Sequence, residues 1–270
     1  MEVTVKVLIT GAASGIGRAT AERLLAMGAE VVALDRAEPA GLAVEWLEVD
    51  LATPAPAQAA LAQAGTGFDA AILCAGLPPR ADNAVAVLAL NWLGFRRIAE
   101  GIAPRMAPGG AIVGIASKAG AAWRENIAQV RRLMALGDAP AALPGFVASE
   151  GIDPVRAYDL SKEAVIAWTR GATRSLAAAG LRANTVSPAA VATAILPDFE
   201  AAFGARAARG LALMGRAGTA AEVAEAAIFL ARPESGWIRG VDLPVDGGLT
   251  AMLDAEALGL EDINPSKSRW

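Results

Sequence analysis

The chain has 270 residues, 24 Lys+Arg against 28 Asp+Glu, and a formal net charge of −4. It holds no histidine and a single cysteine, Cys74. Those counts exclude Ser-His-Asp and Cys-His catalysis, histidine-bearing metal sites, an internal disulfide and Cys-x-x-Cys zinc or redox motifs, so no metal is expected.

Mild acidity without a dense basic run gives no footprint for nucleic acid. Met1 to Lys6 has neither a basic n-region nor an apolar h-region, so no signal peptide is expected. No apolar run approaches the ~18 residues of a membrane span. A cytoplasmic protein with no membrane partner is the expectation. The mean hydropathy of +0.41 comes from Ala, Val and Leu spread along the chain, which suits a sheet buried on both faces.

In chain order, residues 5–10 (VKVLIT with its leading Val5) predict a first strand, followed by a glycine-rich turn and a helix to about Met27. Further strands are predicted at 31–35, 46–50, 69–74, 111–115, 182–186 and 241–245, with helices near 57–64, 85–106, 155–179 and 220–230. Strands alternating with helices imply right-handed crossovers and one parallel sheet covered on both faces. The expected architecture is α/β: a doubly wound Rossmann fold, a seven-stranded parallel sheet in a single domain spanning 1–270. Two stretches break the rhythm. One is an insert at 118–153, in which Trp123, Ile127, Val130 and Met134 fall on one helical face while 138–151 reads as loop. The other is the tail, 249–270.

Thr10-Gly11-Ala12-Ala13-Ser14-Gly15-Ile16-Gly17 lies between the first strand and the first helix. Glycines there let the backbone turn tightly and approach phosphates, and the helix N-terminus offers free N–H groups and a positive dipole end. Gly11, Ser14, Gly15, Ile16 and Gly17 are therefore candidate contacts to a dinucleotide pyrophosphate. Asp35 ends the second strand, eighteen positions beyond Gly17, where a carboxylate binds an adenosine ribose 2′-OH and repels a 2′-phosphate. Arg36 follows and could in principle accept that phosphate, but Ser14 stands where a basic residue would have helped it. NAD(H) is the expected cofactor.

Tyr158 is the only tyrosine in the chain, and Lys162 lies one helical turn on. An ammonium beside a phenol favours the phenolate, so this pair is the best acid/base candidate in a chain without histidine. Ser117 sits at the carboxyl end of the fifth strand, where open α/β sheets bind ligands, and its hydroxyl could hold a carbonyl oxygen. Asn91, mid-helix, invites a polar structural or catalytic role.

Together these residues resemble the short-chain dehydrogenase/reductase family in its single-domain branch. The matching motifs are TGAASGIG at 10–17, Asp50-Leu51, Cys74-Ala75-Gly76, Asn91, Ser117, Tyr158-x-x-x-Lys162, Asn184 with Pro188 and Thr193, and Asp246-Gly247-Gly248. The resemblance implies Tyr158 as acid/base, with Lys162 on the nicotinamide ribose and tuning the phenol. It implies Ser117 orienting the substrate oxygen and Asn91 holding a water in a proton relay. Asp50 and Leu51 would contact adenine, Ala75 and Gly76 line the cofactor, and Pro188, Val191 and Thr193 hold the nicotinamide amide end. The family's usual Asn-Asn-Ala-Gly reads Leu73-Cys74-Ala75-Gly76 here, and Ala189 replaces the glycine after Pro188. Ser117 and Tyr158 are 41 positions apart, and this long insert with Cys74-Ala75-Gly76-Leu77 is similar to the bacterial 3α-hydroxysteroid dehydrogenase/carbonyl reductase subgroup.

Ile195, Leu196, Phe199, Phe203, Leu211, Leu213 and Met214, joined by Trp123, Ile127 and Phe146 of the insert, are the expected walls of a pocket for a bulky apolar ketone or secondary alcohol. An NAD-binding regulatory or scaffold protein without turnover is the alternative, disfavoured by the intact Ser117, Tyr158 and Lys162. A homodimer or homotetramer is expected. The insert should obstruct the family's two-helix interface and partly roof the cleft, leaving the edge of the last strand and helix 220–230 for a partner. The tail should cross to that partner or cap the cleft.

Overall fold

The computed structural model describes residues 5–260. The chain runs β1 (Lys6–Thr10), α1 (Gly15–Ala26), β2 (Glu30–Asp35), β3 (Glu45–Glu48), α2 (Pro54–Ala64) and β4 (Phe68–Leu73). Then follow α3 (Ala84–Leu88), a π-helical turn (Ala89–Gly94), α4 (Phe95–Ile102) and β5 (Met106–Ile115). A 3₁₀ segment (Lys118–Trp123), α5 (Ile127–Ala135) and α6 (Leu143–Glu150) lead to the long α7 (Pro154–Ala178). The remainder is β6 (Arg182–Pro188), β7 (Val191–Ala192), α8 (Leu196–Phe203), α9 (Ala205–Met214), β8 (Gly218–Thr219), α10 (Ala220–Ala231), β9 (Asp242–Val245) and α11 (Leu249–Leu258).

Seven strands form one sheet in the order β3-β2-β1-β4-β5-β6-β9, every neighbour parallel. This is the doubly wound Rossmann arrangement. The order reverses between β1 and β4, so their carboxyl ends open a crevice. Successive residues of β1 alternate between faces. Leu8 joins a core with Val32, Phe68, Trp92 and Ile98, while Val7 and Ile9 join one with Ile72, Val113, Val223 and Ile228. Helix ends follow their chemistry. Asp153 accepts from the Arg156 N–H at 2.7 Å ahead of Pro154, and Thr219 with Glu222 forms a reciprocal capping box on α10.

Several expected elements differ. The helix expected at 85–106 is broken by the π turn around Asn91, which a 3.6-residue period cannot register, and β5 already begins at Met106. It pairs Met106 with Phe68, shifts register, and resumes at Ala111 opposite Ala70. The stretch read as loop at 138–151 contains α6, entered through Pro144 and ended by Gly151 in the left-handed region, with Leu143 and Phe146 buried. On α5 the buried residues are Val130 and Leu133, whereas Ile127 is exposed, so the apolar face is rotated from the one expected. Of the tail, 249–258 is helical; its last residues, 261–270, lie outside the described region. No helix among the described residues is long and apolar enough to cross a membrane.

Candidate active site

The crevice holds two connected chambers. The first is a groove of about 960 Å³, counted to its open mouth, over the carboxyl ends of β1 and β2. Its floor is the glycine turn. A Cβ on Gly17 would lie 2.1 Å from the Gly11 carbonyl oxygen, and one on Gly11, at φ +76°, would lie 2.9 Å from the Ala75 backbone. Only glycine closes this turn. Ser14, the N-cap of α1, makes no side-chain cap, so the first N–H groups of α1 keep no side-chain partner. The Asp35 carboxylate accepts from Ala13 N at 2.9 Å and Ala37 N at 3.1 Å, fixing the end of β2 against the turn. Gly11, Ser14, Gly15, Ile16, Gly17, Asp35, Arg36, Asp50, Leu51, Ala75, Gly76 and Thr193 all line this groove.

The second chamber, about 1140 Å³ to its mouth, contains Ser117, Tyr158, Lys162, Pro188 and Val191, and shares Ile16, Gly76, Leu77, Thr193 and Ile195 with the first. Ser117 follows β5 directly. Its hydroxyl oxygen accepts from Ala119 N at 3.2 Å, and the side chain shares the chamber with Tyr158. Burial pushes the Tyr158 phenol up to about 12, although the neighbouring Ser117 hydroxyl and the Arg206 charge pull it down and Asp159 pushes it further up. Burial likewise lowers Lys162 to about 8, with Cys74 working against that shift. Lys162 Nζ donates to the Ile115 carbonyl at 2.8 Å and lies 5.7 Å from the Tyr158 ring centroid. The expectation that Lys162 depresses the phenol is therefore not met here. Desolvation of the ring dominates, and the ammonium is engaged by Ile115. Tyr158 consequently carries its proton at neutral pH. Burial also lifts the Cys74 thiol to about 12, which makes it a poor nucleophile.

Asn91 stands apart from the chambers. It is 1% exposed and lines neither. Its Oδ1 accepts from Leu77 N at 2.7 Å and its Nδ2 donates to Leu77 O at 3.0 Å and Ser161 Oγ at 3.5 Å. The amide thus holds the Leu77 backbone, with one lone pair of Oδ1 left over.

The far wall of the second chamber is α8 and α9. Tyr158 meets Phe199 and Phe203 edge-on at 5.1 and 6.0 Å, and those two rings lie nearly parallel at 6.0 Å. Ile195, Leu196, Leu211 and Met214 complete it as expected. Leu213 does not; it points outward and is exposed. Trp123, Ile127 and Phe146 do not line the chamber either, so the insert supplies no wall beyond Lys118 and Ala119 and does not roof the cleft. Trp123 instead lies between the guanidinium groups of Arg124 and Arg170, and Phe146 is buried in the core. Sequence reasoning missed Arg206 and Leu249 as lining residues. Arg206 was signalled by nothing nearer than the aromatic pair, and Leu249 only by its place after the Asp246-Gly247-Gly248 turn. Among the described residues, no group of three or more His, Cys, Asp or Glu side chains could hold a metal ion.

Residues 5–129 match the family model described as short chain dehydrogenase, and residues 126–250 match one described as enoyl-(acyl carrier protein) reductase. The chain is 32% identical over 256 residues to a coniferyl-alcohol dehydrogenase of Pseudomonas sp. strain HR199, covering 91% of this chain and 96% of that protein. It is 28% identical to a 3-alpha-hydroxysteroid dehydrogenase/carbonyl reductase of Comamonas testosteroni, covering 92% and 97%. Among solved structures it resembles the 3-alpha-hydroxysteroid dehydrogenase of Pseudomonas sp. B-0831 complexed with NADH. The TM-score is 0.82 at 32% identity, over 93% of this chain and 99% of that one.

Proposed function

The chain belongs to the short-chain dehydrogenase/reductase family, and we propose that it is an NAD(H)-dependent oxidoreductase interconverting a bulky, apolar secondary alcohol and its ketone. A hydroxysteroid or another cyclic or aromatic carbonyl compound is the substrate class. One observation carries this reading: Ser117, Tyr158 and Lys162 meet where a groove suited to a dinucleotide opens into an apolar chamber. The relatives named for coniferyl alcohol and for 3α-hydroxysteroids support a ring-bearing substrate.

The groove fits the cofactor by its backbone. The glycine turn leaves a cradle that any Cβ would fill, and unpaired N–H groups at the start of α1 suit a pyrophosphate. Asp35 accepts the adenosine ribose hydroxyls and repels a 2′-phosphate. Asp50 and Leu51 flank adenine, Ala75 and Gly76 line the ribose path, and Pro188, Val191 and Thr193 hold the carboxamide end. When bound, the nicotinamide supplies or accepts the hydride. Ser117 donates to the substrate oxygen, and Tyr158, protonated at neutral pH, delivers its phenolic proton to that oxygen during reduction; the reverse transfer in oxidation needs the phenolate, which alkaline pH favours. Lys162 binds the second ribose with the ammonium protons that the Ile115 carbonyl leaves over. Asn91 serves by fixing Leu77, which lines both chambers.

A panel of cyclic, steroidal and aromatic ketones followed by NADH absorbance tests this. At least one bulky ketone should be reduced. A protein that binds NADH yet turns over none of the panel would favour the non-catalytic reading.

A further inference from the structure

Behind the adenine end of the groove lies a buried cation that neither the acid/base chemistry nor the direct cofactor contacts use. Arg97, on α4, has 3% of its side chain exposed. Its Nη1 donates to the Leu51 carbonyl at 2.6 Å. Its other edge grips Asp138, between α5 and α6 of the insert. Nε donates to Oδ2 at 3.0 Å and Nη2 donates to Oδ1.

Leu51 has need of such a partner. It lies ahead of Thr53, the N-cap of α2, and so outside that helix's own hydrogen-bond ladder, and Pro54, three positions on, has no N–H with which to close a turn on it. Gly94, one turn before Arg97, lets the backbones close up: a Cβ there would lie 3.0 Å from the Leu51 oxygen. The guanidinium is thus the buried donor that meets Leu51 from the core side while the same residue lines the groove on the other. A charge-assisted bond is stronger than a neutral one, and a buried carbonyl left without a donor is costly.

We propose that Arg97 is a positioning residue for the adenine wall, and that Asp138 couples the insert to cofactor affinity through it. The inference rests on the NAD(H) reading of the groove. It assigns the insert an effect on the half of the cleft it does not touch, by a relay of insert carboxylate, α4 guanidinium and groove backbone.

The test compares Arg97→Met, Arg97→Lys and Asp138→Asn with wild type. NADH binding is read by fluorescence, ADP-ribose binding by calorimetry, and turnover is also measured with reduced nicotinamide mononucleotide, which lacks the adenosine half. Arg97→Met should weaken NADH and ADP-ribose by roughly tenfold, the factor that ~1.4 kcal/mol represents. Asp138→Asn, on the partly exposed partner, should weaken both by less and provides the test should Arg97→Met fold poorly. Arg97→Lys should recover part of the loss. Turnover at saturating NADH should stay near wild type, and reduced nicotinamide mononucleotide should react equally well with all four proteins. A purely structural role would lower the melting temperature and leave both dissociation constants unchanged, which overturns the proposal. Equal loss with the mononucleotide would also overturn it, because the damage would then extend to the whole site. A wild-type protein binding neither NADH nor ADP-ribose would instead overturn the cofactor reading itself.

Discussion

Two regions carry apolar residues in helices outside the strand–helix alternation of the sheet, yet residues 118–153 became a brace and residues 196–214 a wall. The insert buries Val130, Leu133, Leu143 and Phe146. It is tied to the body by Asn126 on Glu163 at 2.7 Å, Arg156 on Gln129 at 2.9 Å, and Asp138 on Arg97. Helix α8 buries no residue fully and α9 only Gly210. That pair is held at its edges by Arg80 on Asp198 and Arg206 on Asp159. The helix between them, α7, shows both faces. Tyr158 and Lys162 face the chamber, while Glu163, 1% exposed, faces the insert. An apolar period says that a helix covers something; the charged residues around it decide what. Few buried residues are the general mark of an element that opens at low cost, and the wall has that mark where the insert does not.

The largest effect expected separates the two faces of α7. Tyr158→Phe should retain NADH binding and lose roughly 10²–10⁴-fold in turnover, the contribution of general acid–base catalysis. Glu163→Gln, five positions on, should leave kcat within a factor of two or so of wild type while losing ~1.5–3 kcal/mol of stability with its charged hydrogen bonds to Arg156 and Asn126. Steady-state rates paired with denaturant melts read both, and near-wild-type turnover in Tyr158→Phe would remove the phenol from the mechanism.

The next effect separates wall from brace. Phe199→Ala or Phe203→Ala should raise KM for a bulky ketone by about tenfold, since each removes part of the ~1.5–3 kcal/mol that a buried aromatic contact contributes. Trp123→Ala should shift the melting temperature and leave KM unchanged. A KM rise with Trp123→Ala would restore the insert to the substrate site.

These regions also show what a sequence discloses. The Thr10–Gly17 turn, Asp35, Ser117, Tyr158 and Lys162 were legible because each residue type stands out where the pattern puts it, at a strand's carboxyl end or one helical turn from its partner, and the structure brings all of them to the crevice. The strands were legible as apolar runs between turns. Asn91 was visible as a mid-helix amide, but its bonds to Leu77 depend on a π turn that leaves no mark on periodicity. The rotated face of α5 and the core role of Phe146 depend on partners distant in sequence, and Arg97 reads as an ordinary helix arginine until Leu51 and Asp138 arrive beside it. The turn around Asp138 hid α6, although Pro144 and Gly151 are a serviceable start and stop.

A smaller effect lies outside both stretches. Asp35→Ser should narrow the preference for NADH over NADPH, chiefly by removing repulsion of the 2′-phosphate and leaving Arg36 to meet it. The ratio of kcat/KM for the two cofactors reads this. A wild-type ratio favouring NADPH would contradict the role given to Asp35.

The smallest catalytic effect belongs to assembly, and it sharpens the contrast most directly. The insert packs on α7, and through Asp138 and the Met134 carbonyl it also grips Arg97 and Arg96 of α4. A partner chain approaching the α4–α7 pair would have to displace it and expose Val130 and Leu133 along with the buried Glu163. The opposite end of the sheet is open. There, among the described residues, β9 pairs only with β6, and exposed aromatics lie near that edge. Trp237 is 93% exposed before β9, and Phe229 is 46% exposed on α10. Apolar groups presented beside an unpaired strand edge suit a two-fold contact between identical chains. Light scattering should therefore find a dimer. Trp237→Glu should shift it towards monomer with little change in kcat, because no residue of that edge lines either chamber. A wild-type tetramer that Trp237→Glu leaves intact would place the contact on α4 and α7, and the insert would then be a part of an interface rather than a brace that closes one.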